Sequence, residues 1–548
     1  MTNRALTAIL MMMICCMGRL VAGQSGYHVD EERGFKLKPP AKWDQIPVDP
    51  SEKWIVTKYL SNRAFISNTG LFSFEHRPYL RVIVFPDEAV KKSGLDVSVS
   101  GNSIFVGFNN PHKDYRDYLK NTRKGFYFSK EETGKNRGLD YEEYEARFEH
   151  DSANYRLVCW VFRAADAAFA VEFEILDEHF DKLYPLARSA LRSFRFIERR
   201  GQLVAGTTES PGGPKKLDDD DLAEMGDRDK WRELSAAERK KRRQAVEDRV
   251  ITRFVDTAPD DWIVKKSKNC VVISHADEKY TQSVVEAADA CRSFLDKHLS
   301  DLSDEYVTRS VIRLCRDYPE YRAYLDGGSG FSIAANTNVR EVVLYKDLSG
   351  GKRSGLGWLF DRLTSDYLRD KDRLLAFGIP EWMSSGLSST MSSAKPKGRS
   401  IELEPDTWEN DAVRDLVRQG KTKSAKDLMT MTSKEFYGDY TDHSYLSTRL
   451  VRYILTTGAR RAPFKGFLLE YLAAVIEATE EVDAATEAKA PAAAKTAQTE
   501  EEEEAQYKQA RQNDGKRQKD ILALIESKLG WSSREWAAVE KAYASALD

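Results

Sequence analysis

Between Gly201 and Ala223 the chain loses its periodicity, and this break limits what the rest can become. The stretch GTTESPGGPKK is rich in Gly, Pro and Ser, and an acidic run, Asp218 to Asp221, follows it. Such a segment cannot hold a core together and reads as a flexible connector. The 548 residues, 41% hydrophobic and 31% charged, carry enough apolar matter for globular units on both sides. These units are expected at 27–199 and 249–548. Residues 200–248 between them read as linker plus a charged helix, started by a capping box of Ser235 with Glu238. That helix carries Arg239-Lys240-Lys241-Arg242-Arg243, read as a solvated face. A second biased stretch, about 477–516, is rich in Ala and Glu and reads as a disordered or loosely helical insert in the second unit. A net charge of −3 supplies no global field for holding nucleic acid, and none is expected as a partner.

The first residues read as an export signal over 1–23. Arg4 is followed by the apolar run Ala5 to Met17, then by small residues at Val21-Ala22-Gly23 before Gln24. The run is too short to span a bilayer comfortably, and no later stretch is long and apolar enough to do so. The expectation is an exported periplasmic or extracellular chain with no membrane span after cleavage. Retention of the segment as an anchor is the alternative, because Arg19 interrupts the approach to the cleavage site. Four cysteines survive cleavage, Cys159, Cys270, Cys291 and Cys315, and none has the spacing of a zinc knuckle or redox pair. Cys159 and Cys270 sit in strand-like apolar runs, where a buried free thiol is expected.

In the first unit, Tyr141 to Phe148, Tyr155 to Phe162 and Phe169 to Ile175 form three strand-like runs with turn-sized gaps. Phe169, Val171, Phe173 and Ile175 face one way in the last run, and Glu172 and Glu174 face the other. A helix follows, with Phe180, Leu183, Ala187, Leu191 and Phe194 at helical spacing. An antiparallel meander closed by an amphipathic helix is an α+β layer. The opening strand Gly34 to Leu37, the meander and the terminal LRSFRFI resemble the PsbP-like fold of small exported or lumenal domains. That resemblance implies an interaction module rather than an activity.

The second unit begins with strands, Cys270 to Ser274 and Val311 to Leu314, around a helix through Val284 and Leu295. Gly327, Gly328 and Gly330 make a turn into Phe331 to Ala334, and Val342 to Tyr345 is the return strand. Helices then follow at 354–369, 380–392, 409–419, 434–457, 464–476 and 518–546. SVIRLCRDYPEYRAYL, GSGFSIAANTNVREVVLYKD and GIPEWMSSGLSS are similar to the peptidase MA-like branch of the gluzincin metallopeptidases. The resemblance runs from about residue 265 to the C-terminal KLGWSSREWAAVEKAY, interrupted by the Ala/Glu insert. It implies a mixed sheet followed by a helical subdomain, with HExxH on one helix and a third Glu ligand on the next.

The chemistry of that site is missing. HExxH sets two histidines one turn apart on a single zinc, with the Glu as general base. The matching residues are Asp361-Arg362-Leu363-Thr364-Ser365, and the third ligand position is Ser385 in PEWMSSGL. Of the vestigial positions Asp361, Arg362, Ser365 and Ser385, only Asp361 can bind zinc. A guanidinium about 5 Å from a dication meets a repulsion of about 7 kcal/mol at an effective dielectric of about 20. No metal and no cofactor are expected, and no catalytic residue is assigned. An alternative metal site at Asp361, Asp366, Asp370 and Asp372 competes with simple ion pairing to Arg362, Arg369 and Lys371. Gly327-Gly328-Ser329-Gly330-Phe331 is no nucleophile elbow, because Phe331 stands where the second glycine is required.

What remains is a cleft for a peptide or protein ligand. Its expected parts are the strand edge Val342, Val343, Leu344 and Tyr345, the residues Trp382 and Met383 near the old site, and Tyr440 and His443 from an aromatic cluster. Ser384, Ser385, Ser388 and Ser389 would make one wall small and polar. Strand addition needs only an exposed backbone edge and side-chain pockets. The expected function is therefore a catalytically inactive, peptide-binding or protein-binding envelope protein. An active exported hydrolase with a non-standard site is the alternative.

Overall fold

Alternation in the 141–175 region builds the centre of the first unit. In the computed structural model the strands are β1 (His28–Asp30), β2 (Phe35–Leu37), β3 (Trp43–Ile46), β4 (Ile55–Ser61), β5 (Phe65–Thr69), β6 (Phe72–His76), β7 (Tyr79–Pro86), β8 (Val97–Val99) and β9 (Ile104–Val106). After helix α1 (Tyr115–Thr122) come β10 (Tyr127–Asn136), β11 (Leu139–His150), β12 (Ala153–Arg163) and β13 (Ala167–Leu176), then helix α2 (Phe180–Ser193) and β14 (Arg195–Phe196). The structure describes residues 26–547, apart from isolated positions and the segments 49–53, 70–71, 87–96, 100–103, 107–111, 199–227, 326–334, 337–340, 347–354, 405–406 and 488–499. The expected export signal, the expected Gly327–Gly330 turn with Phe331–Ala334, and most of the expected linker therefore lie outside the described residues.

Seven strands form one antiparallel sheet in the order β10-β11-β12-β13-β7-β4-β3. The apolar face of β13 meets the stripe of α2: Phe169 packs on Phe35 and Phe194, with Leu183, Ala187 and Leu191 behind. The opposite, acidic face of β13 is covered as well. Glu172 and Glu174 are buried, under α1 and against cations of the neighbouring strand and loop. The sheet is thus apolar on one side and a closed ionic layer on the other.

The second unit has a five-stranded sheet in the order β15-β16-β17-β19-β18, from β15 (Ile263–Lys266), β16 (Cys270–Ser274), β17 (Ser310–Cys315), β18 (Ala335–Asn336) and β19 (Glu341–Tyr345). β16, β17 and β19 are parallel, and the two flanking strands are antiparallel. The molecule is accordingly a mixed α+β protein with a large antiparallel sheet. The helices of this part include α3 (Ala236–Asp256), α4 (Glu278–Leu299), α5 (Tyr318–Tyr324), α6 (Gly355–Lys371), α7 (Glu381–Ser392), α8 (Thr407–Arg418), α9 (Ser433–Gly438), α10 (Tyr440–Leu455), α11 (Phe467–Glu487), α12 (Glu500–Leu529) and α13 (Ser533–Leu547).

Two biased segments differ from their expected state. The basic helix is solvated only in part, with Lys240 and Lys241 exposed. α3 runs past residue 248 to Asp256, and its Val250, Ile251 and Phe254 pack on Trp262, Val271 and Ile273 of the sheet. Arg239 and Arg243, one turn apart on α3, both pair with Glu305 at 2.6 and 3.2 Å. Arg243 also donates to the carbonyls of Tyr306 and Asp370. In the Ala/Glu stretch, residues 477–487 extend α11 with Ala478, Thr479 and Val482 buried. Asp483 pairs with Arg517 of α12 at 2.7 Å, which closes an antiparallel helix pair. Ala-rich sequence is a strong helix former once a neighbour takes its small face.

Candidate functional site

Three helices meet where the sequence places the vestigial site. α6 and α7 pass so close that a Cβ on Gly357 would sit 1.9 Å from the Ser392 carbonyl oxygen. One turn along, the Asp361 carboxyl lies beside Ser388. The two helices therefore run antiparallel, and the same step carries Ser365 level with Ser384 and Ser385. Ser385 Oγ lies 3.1 Å from Ser444 Oγ of α10, and Gly386 is pressed on the Ser447 carbonyl of the same helix.

Each vestigial position has its own local partner. Ser365 is exposed and donates to the Asp361 carbonyl at 3.2 Å. Arg362 pairs with Asp366 at 3.1 Å, and Arg369 shares that carboxylate at 2.6 Å. Burial pushes the Asp361 carboxyl above its ordinary range, against the opposing pull of Ser388 and Arg362. Asp370 is committed elsewhere, accepting from Thr308 N and Oγ1. Among the described residues no group of three or more His, Cys, Asp or Glu is arranged to hold a metal ion.

The expected cleft residues divide into two sets. Tyr440 is exposed and stacks on Tyr437, whose hydroxyl donates to Glu381 at 3.1 Å. Trp382, Met383 and His443 are corrections: they are 1%, 0% and 5% exposed and do not line an open cleft. Trp382 donates its indole N–H to the Tyr471 hydroxyl, and His443 Nδ1 lies 2.9 Å from the Phe436 carbonyl oxygen. The outward positions of α7 are instead its serines. In β19, Val342, Val343 and Leu344 are buried while Tyr345 is half-buried against Tyr318 and Tyr321. β18 pairs with Glu341 and Val342, and Val343 to Tyr345 have no strand on that outer side among the described residues. All four cysteines are buried free thiols, and burial pushes Cys270 up to about 12.

A cluster that sequence reasoning missed joins the two units. Lys58 of β4 is fully buried and donates to the carbonyls of Ala323 and Tyr324 at 3.0 Å each. Arg322 donates to the Tyr155 hydroxyl at 2.6 Å and lies beside Glu174. Around them Arg77 pairs with Asp317 at 2.6 Å and Arg316 with Asp44 at 3.3 Å. Burial opposes the charge on Glu174, but Arg123, Arg322 and His76 overcome it and bring the carboxyl to about 2.

His76, against the Tyr155 ring, is lowered to about 4 by burial. Its neutral form is the folded form, so unfolding takes up a proton wherever the pH lies between about 4 and the ordinary 6.5. Stability is therefore full above pH 6.5 and falls as the pH drops toward 4, by about 3 kcal/mol at most from this group. Glu174 adds a further loss from pH 4.5 downward. His275, raised by its bond to Glu320 against the cost of burial, acts in the opposite sense. Comparing urea midpoints at pH 7.5 and 4.5 in His76→Asn and the parent isolates the His76 share. The variant is expected to flatten the slope, and an unchanged slope contradicts the assignment.

No family model matches the chain, and no curated protein matches it. Among solved structures, the chain is similar to the cyanobacterial PsbP of Synechocystis sp. PCC 6803, at 12% identity over 31% of this chain and 91% of that one, with a TM-score of 0.21. It is also similar to LpqN, involved in cell envelope biogenesis of Mycobacterium tuberculosis, at 12% identity over 30% and 83%, with a TM-score of 0.21.

Proposed function

We propose that the chain is an exported envelope protein that binds peptide or protein segments without cleaving them. In this reading a PsbP-like unit precedes a degenerate gluzincin-like unit. The observation that carries it is the state of the four vestigial positions. Arg362 is held by Asp366 beside Asp361, Ser365 spends its hydroxyl on the Asp361 carbonyl of its own helix, and Ser385 meets Ser444 of α10. Two hydroxyls, one carboxyl of raised pKa and one guanidinium are no donor set for a catalytic zinc. Strand addition to β19 is the binding mode of this reading, since it needs only backbone and side-chain pockets.

Two measurements test the proposal together. Purified protein, dialysed against zinc and assayed by atomic emission, is expected to hold none stoichiometrically and to leave fluorogenic peptides uncut. One equivalent of zinc with peptide cleavage establishes the hydrolase alternative instead. Asp361→His, Arg362→Glu, Ser365→His and Ser385→Glu combined are expected to create zinc affinity in a folded protein. A folded quadruple variant with no zinc affinity counts against the gluzincin assignment.

A further inference from the structure

Helix α5 touches the first unit at one end and both ends of β19 along its length. At its C-terminal end the carbonyls of Ala323 and Tyr324 receive the Lys58 ammonium. A fully buried lysine is tolerated only where its charge is met by acceptors, so the socket and the helix end require each other. Ala323 fills the apolar floor made by Ile46, Leu60 and Tyr79. On its other side α5 holds β19: the Tyr324 hydroxyl donates to Glu341 at 2.6 Å, and the rings of Tyr318 and Tyr321 pack on Tyr345 at 5.4 and 5.2 Å.

We propose that the ionic face of the N-terminal sheet is a dock for the C-terminal end of a helix, filled by α5 of the same chain, and that the docked unit thereby sets the position of β19. The second half rests on the reading of β19 as the ligand edge and names what controls it. The first unit then acts on the site without contributing a residue to it. Loss of the dock removes the α5 ties to Glu341 and Tyr345 at once, leaving β19 held by Arg313 and by its pairing with β17.

Amide hydrogen exchange on the full chain tests this without any ligand. Lys58→Met is expected to raise exchange in α5 and β19 by about ten- to a hundredfold, with α11 unchanged. Asp44→Arg, at the partly exposed rim pair with Arg316, is expected to do the same more weakly, and Asp44→Arg with Arg316→Asp to restore protection. Should Lys58→Met fail to fold, the rim exchange decides. Faster exchange in α5 with β19 unaltered overturns the coupling, and no change in α5 overturns the dock. Peptide capture by the same variants is a separate readout. An uncoupled β19 that still captures peptide leaves the binding proposal standing, whereas a coupled β19 that captures none removes only that proposal.

Discussion

Glu172→Ala is expected to destabilise the first unit by about 3–5 kcal/mol, because it strands a charge in the interior. Glu172 and Arg81 are both fully buried, directly opposite each other on β13 and β7, with Arg81 Nε donating at 2.6 Å. The second carboxylate oxygen accepts from the Tyr115 hydroxyl of α1 at 2.5 Å. Removal of the carboxylate leaves a guanidinium that can neither reach water nor lose its proton. Arg81→Met with Glu172→Met removes both charges and is expected to recover most of the loss, since a matched apolar pair need not be worse than a buried ion pair. Urea denaturation followed through the emission of Trp160, one strand away on β12, measures both. A loss below about 1 kcal/mol for the single variant would mean that water reaches the pair.

The same pair shows how far the sequence can be read. Alternation correctly put Phe169, Val171, Phe173 and Ile175 on one face and Glu172 and Glu174 on the other, since that depends only on strand period. What alternation cannot say is whether the polar face meets water. Here it meets Arg81, Arg123 and Arg322, whose positions in the chain lie up to about 150 residues away. The basic run on α3 fails for the same reason: Arg239 and Arg243 share a helical face, but their partner Glu305 is invisible to local pattern. Local periodicity also left Trp382 and Met383 free to face either the cleft or the core, and tertiary packing against Tyr471 chose the core. The strands Cys270–Ser274 and Val342–Tyr345 were legible because continuous apolar runs are what parallel central strands require.

Two glycines carried a signal that periodicity ignores. Gly357 and Gly386 lie inside helices, where glycine is unfavourable by about 1 kcal/mol relative to alanine, so a packing reason is required. The structure supplies it. The α6–α7 contact places the Ser392 carbonyl oxygen 1.9 Å from where a Gly357 Cβ would stand, and Gly386 meets the Ser447 oxygen at 2.7 Å. At Gly357 every obstacle is backbone, which cannot turn aside as a flexible side chain can, whereas at Gly386 the Val451 side chain stands closer still than the Ser447 carbonyl. Gly357→Ala is therefore expected to cost about 3 kcal/mol or more despite the gain in helix propensity, at the upper end of overpacking losses. The helices must separate there, which also parts Asp361 from Ser388 one turn on. Gly515 of α12, with nothing near its would-be Cβ, is the control: Gly515→Ala is expected to be neutral or stabilising by up to about 1 kcal/mol. Thermal denaturation of the two variants separates steric contact from propensity, because propensity alone gives both the same sign. Equal stabilisation by both substitutions would show that α6 and α7 are not in backbone contact. The register that sets Asp361 beside Ser388, on which the vestigial-site proposal depends, would then lose its geometric basis.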